Sequence, residues 1–375
     1  MNSKQISLRD RLCQVTWGWY SMSMATGGIA VLLYNTPNQF TGLLTIGKIV
    51  YISNLVLFSA ITFCLSLRFL SDSSALKESF RSANETHFVG TCPLAIATII
   101  LGASSYGVSA CGPWLVTALR IIFWIYVAVS LLQAVFHNWY LYHRHVARDQ
   151  PFAIVRLLPS FPAMLGGTIA SVLASNQPDD QAIPIIIGGL TLQGFGMTMS
   201  LFIYAEYFYR LNKSGLPKLS ERPEMFIAVG PWSFTALALI GMANEGVEKW
   251  PAGYFVSSAT EGAVAVPTGQ IAVVLASLVA IWLWTLAFSC FSIAVLSMLA
   301  PLRVFGGDGG VPMSLAYWSM VFPNTGFVIA TIKIGQVLQS EAVLWVSSVM
   351  TVLQVAVWLG VLLATISVLG KNGVL

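Results

Sequence analysis

Charge is scarce in this chain. Asp, Glu, Lys and Arg make up 9% of its 375 residues, against about 25% in a soluble globular domain. That excludes an ordinary water-soluble enzyme, and with no basic stripe there is no nucleic-acid partner to expect. Cysteine is scarce too. Cys13, Cys64, Cys92, Cys111 and Cys290 are scattered without CxxC or metal-ligand spacing, so neither a disulfide framework nor a metal site is expected. Enzyme signatures are missing: there is no GxSxG, no Walker sequence, no HExxH and no nucleotide-binding glycine pattern. No cofactor is expected, and without a Walker motif this chain alone does not drive pumping with ATP.

Apolar residues are what the chain has in quantity. They account for 56% of it, and the mean hydropathy is +0.76. A membrane span needs roughly 20 apolar residues, and such runs fall at about 18–35, 46–70, 88–108, 113–142, 151–175, 181–210, 224–244, 267–300, 315–337 and 342–369. The expected fold is an all-α integral membrane protein with ten transmembrane helices. Residues 1–17 would form a cytoplasmic amphipathic segment with no cleavable signal, 18–369 the transmembrane domain, and 370–375 a cytoplasmic tail. With the N-terminus inside, 14 of the 19 Lys and Arg residues fall on the cytoplasmic side, among them Arg9, Arg68, Arg144, Lys213 and Arg303. Only Lys48, Lys249 and Lys333 fall opposite, so the positive-inside rule places both termini in the cytoplasm. The Asn84 and Asn212 glycosylation-like triplets then lie in cytoplasmic loops and carry no meaning.

Helix breakers recur inside alternate spans: Gly27-Gly28, Pro93, Pro159 with Pro162, Gly230-Pro231, and Pro323. Steps between Gly27, Pro93, Pro162, Pro231 and Pro323 are 66, 69, 69 and 92 residues. A proline in a helix removes one hydrogen bond and frees carbonyl groups, which are tolerated in lipid only against protein or a wet cavity. The pattern reads as five helical hairpins. Their odd-numbered helices would be kinked in mid-span and run the same way around a central pore, with straight helices outside.

Small polar residues stand beside the breakers: Ser21, Ser23 and Thr26, then Thr91, Ser160, Ser233 with Thr235, and Asn324 with Thr325. Such donors in a narrow lumen suit an anion, although Ser and Thr equally cap kinks or bond helix to helix. Gly28 would either widen the pore or let helices approach. Among intramembrane charges, Arg156 lies six residues before Pro162 and reads as an anion attractor at the inner vestibule or as a snorkelling interfacial arginine. Lys333 reads as an outer vestibule charge, Arg120 as structural, Glu206 as paired with a loop base, and His137 as an interfacial histidine or a pH sensor.

Four stretches carry a resemblance: TWGWYSMSMATGGIAVLL, GFGMTMSLFIYAEYFYRL, RPEMFIAVGPWSFTALALI and YWSMVFPNTGFVIATIKIG. They resemble the tellurite-resistance/dicarboxylate transporter family, which includes plant slow-type anion channels and fungal sulfite efflux pumps. The FPNTG and TGG stretches are most similar to its fungal malic acid transporters. The resemblance implies a ten-helix protomer with a central pore, assembled as a homotrimer in the plasma membrane. It implies an aromatic gate at Phe322, immediately before Pro323, where residues alone suggest ordinary core. The implied substrates are malate and related C4-dicarboxylates, moved with protons or through a channel; sulfite efflux is the alternative within the family, and a membrane receptor or scaffold the alternative outside it. The long charged tails that regulate the plant channels are missing, so their kinase control is not expected.

Overall fold

A computed structural model describes residues 14–144, 153–251, 254, 267–299 and 313–372. Most of the expected end segments 1–17 and 370–375 lie outside them. Among the described residues the chain is helical throughout, without strands, and eight helices are long and apolar enough to cross a membrane.

Ten principal helices are labelled in chain order: α1 (Tyr20–Asn35), α2 (Leu43–Ser71), α3 (Thr91–Gly102), α4 (Pro113–Arg144), α5 (Phe161–Leu173), α6 (Asp179–Ser214), α7 (Gly230–Gly246), α8 (Thr268–Leu299), α9 (Phe322–Val337) and α10 (Glu341–Asn372). The even-numbered ones run unbroken for 29 to 36 residues. The odd-numbered ones are short, and each is preceded by a 3₁₀ segment: Trp17–Trp19, His87–Gly90, Ile154–Leu157, Leu219–Val229 and Leu315–Met320. α1 and α5, with 16 and 13 residues, are not among the eight helices of spanning length.

The break therefore differs from a kink within one α-helix. Pro162, Pro231 and Pro323 occupy the first turn of α5, α7 and α9, and Pro93 is the third residue of α3. The first turn has no backbone partner for its N–H groups, so a proline there costs no hydrogen bond and its fixed φ suits the helix start. What precedes is a tighter 3₁₀ segment with i→i+3 bonds, although the residue before each proline stays helical: Gly230 has φ −57° and ψ −60°. In the first element the expectation of a break at Gly27-Gly28 is wrong. α1 runs straight through both glycines, and its 3₁₀ junction lies at Trp19–Tyr20. The glycines serve packing there: a Cβ on Gly27 would strike Thr98 and Asn54, and one on Gly28 would lie 3.1 Å from the Phe322 ring.

Burial sorts the helices into two layers. In α2, α4, α6, α8 and α10 between 17 and 39% of the apolar window is buried within protein; in the spans containing α3, α7 and α9 the share is 61 to 94%. Each odd-numbered helix packs on the next, and α9 packs back on α1, closing a ring of five. The even-numbered helices pack outside that ring and expose rows of large apolar side chains such as Val56, Trp124, Trp282 and Leu353, the surface a bilayer requires.

Candidate functional site

The N-terminal ends of the five inner elements meet around one small cavity. It measures about 10 Å³ and is lined by Ser21 and Met24, Phe88 and Thr91, Leu158 and Phe161, Ile227, and Ser319, Phe322 and Pro323. A second cavity of about 40 Å³ lies among their C-terminal halves, lined by Gly28, Val31, Asn35, Thr98, Leu101, Thr168, Ser171, Val172, Phe234, Leu237, Phe322, Thr325, Ile329 and Lys333. Every inner element contributes to both, in the same order along its length, so all five run in the same direction. Phe322 is the residue common to the two cavities.

Three phenylalanines fill the space between them. The Phe322 ring lies 4.9 Å from Phe234, nearly stacked at 24°, and 6.2 Å from Phe161 at 61°; Phe161 and Phe234 meet at 5.7 Å and 75°. These are the offset and edge-to-face geometries that aromatic quadrupoles favour. A glycine lies under each ring. A Cβ on Gly230 would come within 2.6 Å of Phe161, one on Gly326 within 2.6 Å of Phe234, and one on Gly28 within 3.1 Å of Phe322. Phe322 itself is 2% exposed. A cavity needs roughly 10–15 Å³ to hold a single water, so on either side of the Phe322 ring there is room for a few waters at most.

The polar residues beside the breaks do two jobs. At four of the five junctions a hydroxyl donates to the carbonyl three residues back: Ser21 to Gly18, Thr91 to Phe88, Ser233 to Gly230 and Thr325 to Phe322, at 2.6 to 3.0 Å. In the fifth, the Ser160 hydroxyl accepts from Asn138 Nδ2 at 2.7 Å. Asn324 Nδ2 donates to the Met320 carbonyl, and Gln354 Nε2 from α10 donates to Val321. The carbonyls freed by the breaks are thereby satisfied within protein. Ser21, Thr91 and Thr325 also line a cavity.

Of the residues expected to line a pore, Phe322, Pro323, Thr91, Gly28 and Thr325 lie at these cavities. Gly230 borders them at one remove, beneath the Phe161 ring. Thr26, Gly27, Pro93, Ser160, Pro162, Pro231, Ser233 and Asn324 line neither cavity. Thr26 turns outward, accepting from Trp358 Nε1 of α10 at 3.2 Å; the Pro162 carbonyl accepts from the Tyr126 hydroxyl of α4. Arg156 also lines neither. Its Nη1 lies 3.6 Å from Glu206 Oε2 on the outer helix α6, so Glu206 has an arginine partner from an inner element, not a loop base. His137 is buried near the end of α4; its Nε2 shares a hydrogen bond with Thr86 Oγ1 at 3.0 Å, while its Nδ1 has no partner among the described residues.

Sequence reasoning passed over Phe161, Phe234 and Thr168. A signal for the first existed: Phe161-Pro162 repeats the Phe322-Pro323 dipeptide at the same place in another inner element.

Outer apolar helices around an inner ring of shorter helices, with three phenylalanines packed on its axis, define a multi-pass membrane protein. Comparison with known proteins gives the family: the profile described as "Voltage-dependent anion channel" matches residues 14–366, and the chain belongs to that family. It is 34% identical over 342 residues to a malic acid transport protein of Schizosaccharomyces pombe, covering 91% of this chain and 75% of that protein. It is 31% identical over 362 residues to a putative malic acid transport protein of the same organism, covering 96% and 81%. A sulfite efflux pump of Trichophyton rubrum is 24% identical over 320 residues, covering 85% and 81%. The names of the family and of these relatives are those of transporters and channels, not of enzymes.

Proposed function

We propose that this chain moves C4-dicarboxylate anions, malate foremost, across a membrane along the axis of its inner helices. The observation that carries the reading is the axial arrangement: two cavities, each lined by all five inner elements, divided by the Phe322 ring. In this account each inner element with its outer helix is one of five hairpins, and α1 and α5 complete a set of ten crossings with their 3₁₀ segments. Both termini face the cytoplasm, as the basic residues indicate, and a plasma-membrane location follows the family resemblance.

Phe322 acts as the gate. With the plug in place neither cavity admits a dicarboxylate, so passage requires the ring to swing away from Phe161 and Phe234, which opens the two cavities into one path. The inner wall offers hydroxyls and no carboxylate among the residues lining the cavities, which suits an anion by electrostatics. The substrate gradient, the membrane potential or a proton gradient supplies the drive. Assembly as a trimer, with one path per protomer, follows the family resemblance. Malate is placed first because the relatives with the greater identity carry malic acid in their names; sulfite is the second reading, favoured by the efflux pumps among the relatives.

Purified protein in liposomes, supplied with radiolabelled malate with and without an inward proton gradient, tests this. Malate uptake blocked by excess succinate is the expected result, and enhancement by the gradient identifies proton coupling. Indifference to succinate with block by sulfite would move the assignment to sulfite. No anion uptake at all would overturn the transport reading.

A further inference from the structure

The second cavity contains a charge that the gate does not use. Lys333 on α9 lines it together with Thr168 of α5, ten residues and so about 15 Å along the helix from Pro323. An ammonium group on the inner face of a membrane-spanning helix is retained where it meets a ligand or a counter-ion. Most of the neighbouring donors are committed. The hydroxyls of Thr98, Ser171 and Thr325 donate to carbonyls of their own helices, and Asn35 Nδ2 donates to Val31. Thr168 is different: its side chain is 4% exposed, and its Oγ1 has no hydrogen-bond partner among the described residues. An unpartnered buried hydroxyl and a lysine that line one mostly apolar cavity are two donors available to an oxyanion. Glu245, near the end of α7, does not line this cavity and makes no ion pair with Lys333 within 4.0 Å, but the two opposite charges act on each other through space.

We propose that Lys333 and Thr168, which line the second cavity together, form a carboxylate-binding site there, and that Glu245, from outside the cavity lining, competes with the substrate's carboxylate for the Lys333 charge. The proposal rests on the transport reading above and adds to it the group that recognises the substrate. One carboxylate of a dicarboxylate engages the Lys333 ammonium and accepts from Thr168 Oγ1. The second carboxylate extends into the space that the Phe322 ring vacates, so that the site is loaded only when the gate is open. The carboxylate of Glu245 competes for the same ammonium when the site is empty, which keeps the cavity neutral and sets the affinity.

The test is malate uptake into liposomes by the full-length chain, with initial rates at varied malate. Lys333→Gln is expected to raise KM about tenfold or more, the loss of one charge-assisted bond, with a smaller effect on maximal rate. Lys333→Arg keeps the charge and should hold KM within about threefold. Thr168→Val should raise KM by a smaller factor. Glu245→Gln removes the competitor and should lower KM; this direction is one that mere structural damage does not produce. An unchanged KM in Lys333→Gln, or an unchanged or raised KM in Glu245→Gln, overturns the proposal while wild-type uptake leaves the transport reading intact. Should Lys333→Gln fail to fold, Lys333→Arg and Glu245→Gln decide. Should the wild type take up no malate, the melting temperature of the purified protein with and without malate decides: a malate-dependent rise lost in Glu245-intact Lys333→Gln supports the site, and no rise overturns it.

Discussion

Replacing Phe322 with alanine removes the one side chain that borders both cavities. In the closed state it makes two aromatic contacts, to Phe234 at 4.9 Å and to Phe161 at 6.2 Å. Each such pair is worth about 0.5–1.5 kcal/mol beyond its area. If opening breaks both, the closed state loses about 1–3 kcal/mol of its advantage in the variant, a shift of roughly 5- to 150-fold in the open population. Thermal stability also falls, because deleting a fully buried phenylalanine costs about 3–5 kcal/mol. The two effects are separable: melting temperature reports the second, and malate efflux from preloaded liposomes, at matched protein incorporation, reports the first. The leak should rise by about one order of magnitude or more. A well-folded Phe322→Ala protein whose efflux equals that of the wild type would refute the gate.

Three further outcomes follow from the same geometry. Phe161→Ala and Phe234→Ala each take away one contact to Phe322, so each should raise efflux by less than Phe322→Ala, about 2- to 13-fold for one aromatic pair. Gly28→Val places a branched side chain where a Cβ already comes within 2.9 Å of Thr325 Oγ1 and 3.1 Å of the Phe322 ring; initial-rate measurements should find malate uptake strongly reduced with the protein still folded in detergent. Arg156→Gln breaks a partly exposed pair with Glu206, worth about 0–1 kcal/mol, so the melting temperature should drop little and malate KM should stay within about twofold. A large rise in KM would return Arg156 to the substrate path.

Much of the fold is legible in the sequence because hydropathy has a length scale. The long outer helices fall within a few residues of their apolar runs: α4 at Pro113–Arg144 for an expected 113–142, α8 at Thr268–Leu299 for 267–300. Pro162, Pro231 and Pro323 mark real changes of helix type because proline acts locally, through its missing N–H and its ring. Gly27-Gly28 misled because glycine acts through space. It permits a close approach as readily as a break, and only its neighbours, Thr98, Asn54 and Phe322, decide which. Site residues were harder for the same reason. Which way Thr26 or Arg156 points depends on Trp358 and Glu206, 332 and about 50 residues away in the chain, and no local pattern encodes that. Phe161 and Phe234 look like core in sequence and gain their role only by meeting Phe322.

The central claim is that anions travel along the axis bounded by α1, α3, α5, α7 and α9. Blocking that axis chemically tests it most directly. None of the four described cysteines, Cys64, Cys92, Cys111 and Cys290, lines either cavity, so the wild type serves as control for a charged, membrane-impermeant thiol reagent. In Ile329→Cys the new thiol lies in the second cavity. The account predicts that modification, verified by mass spectrometry, abolishes malate flux in Ile329→Cys, leaves the wild type unaffected, and is slowed by saturating malate. Full modification of Ile329→Cys with undiminished malate flux would contradict it.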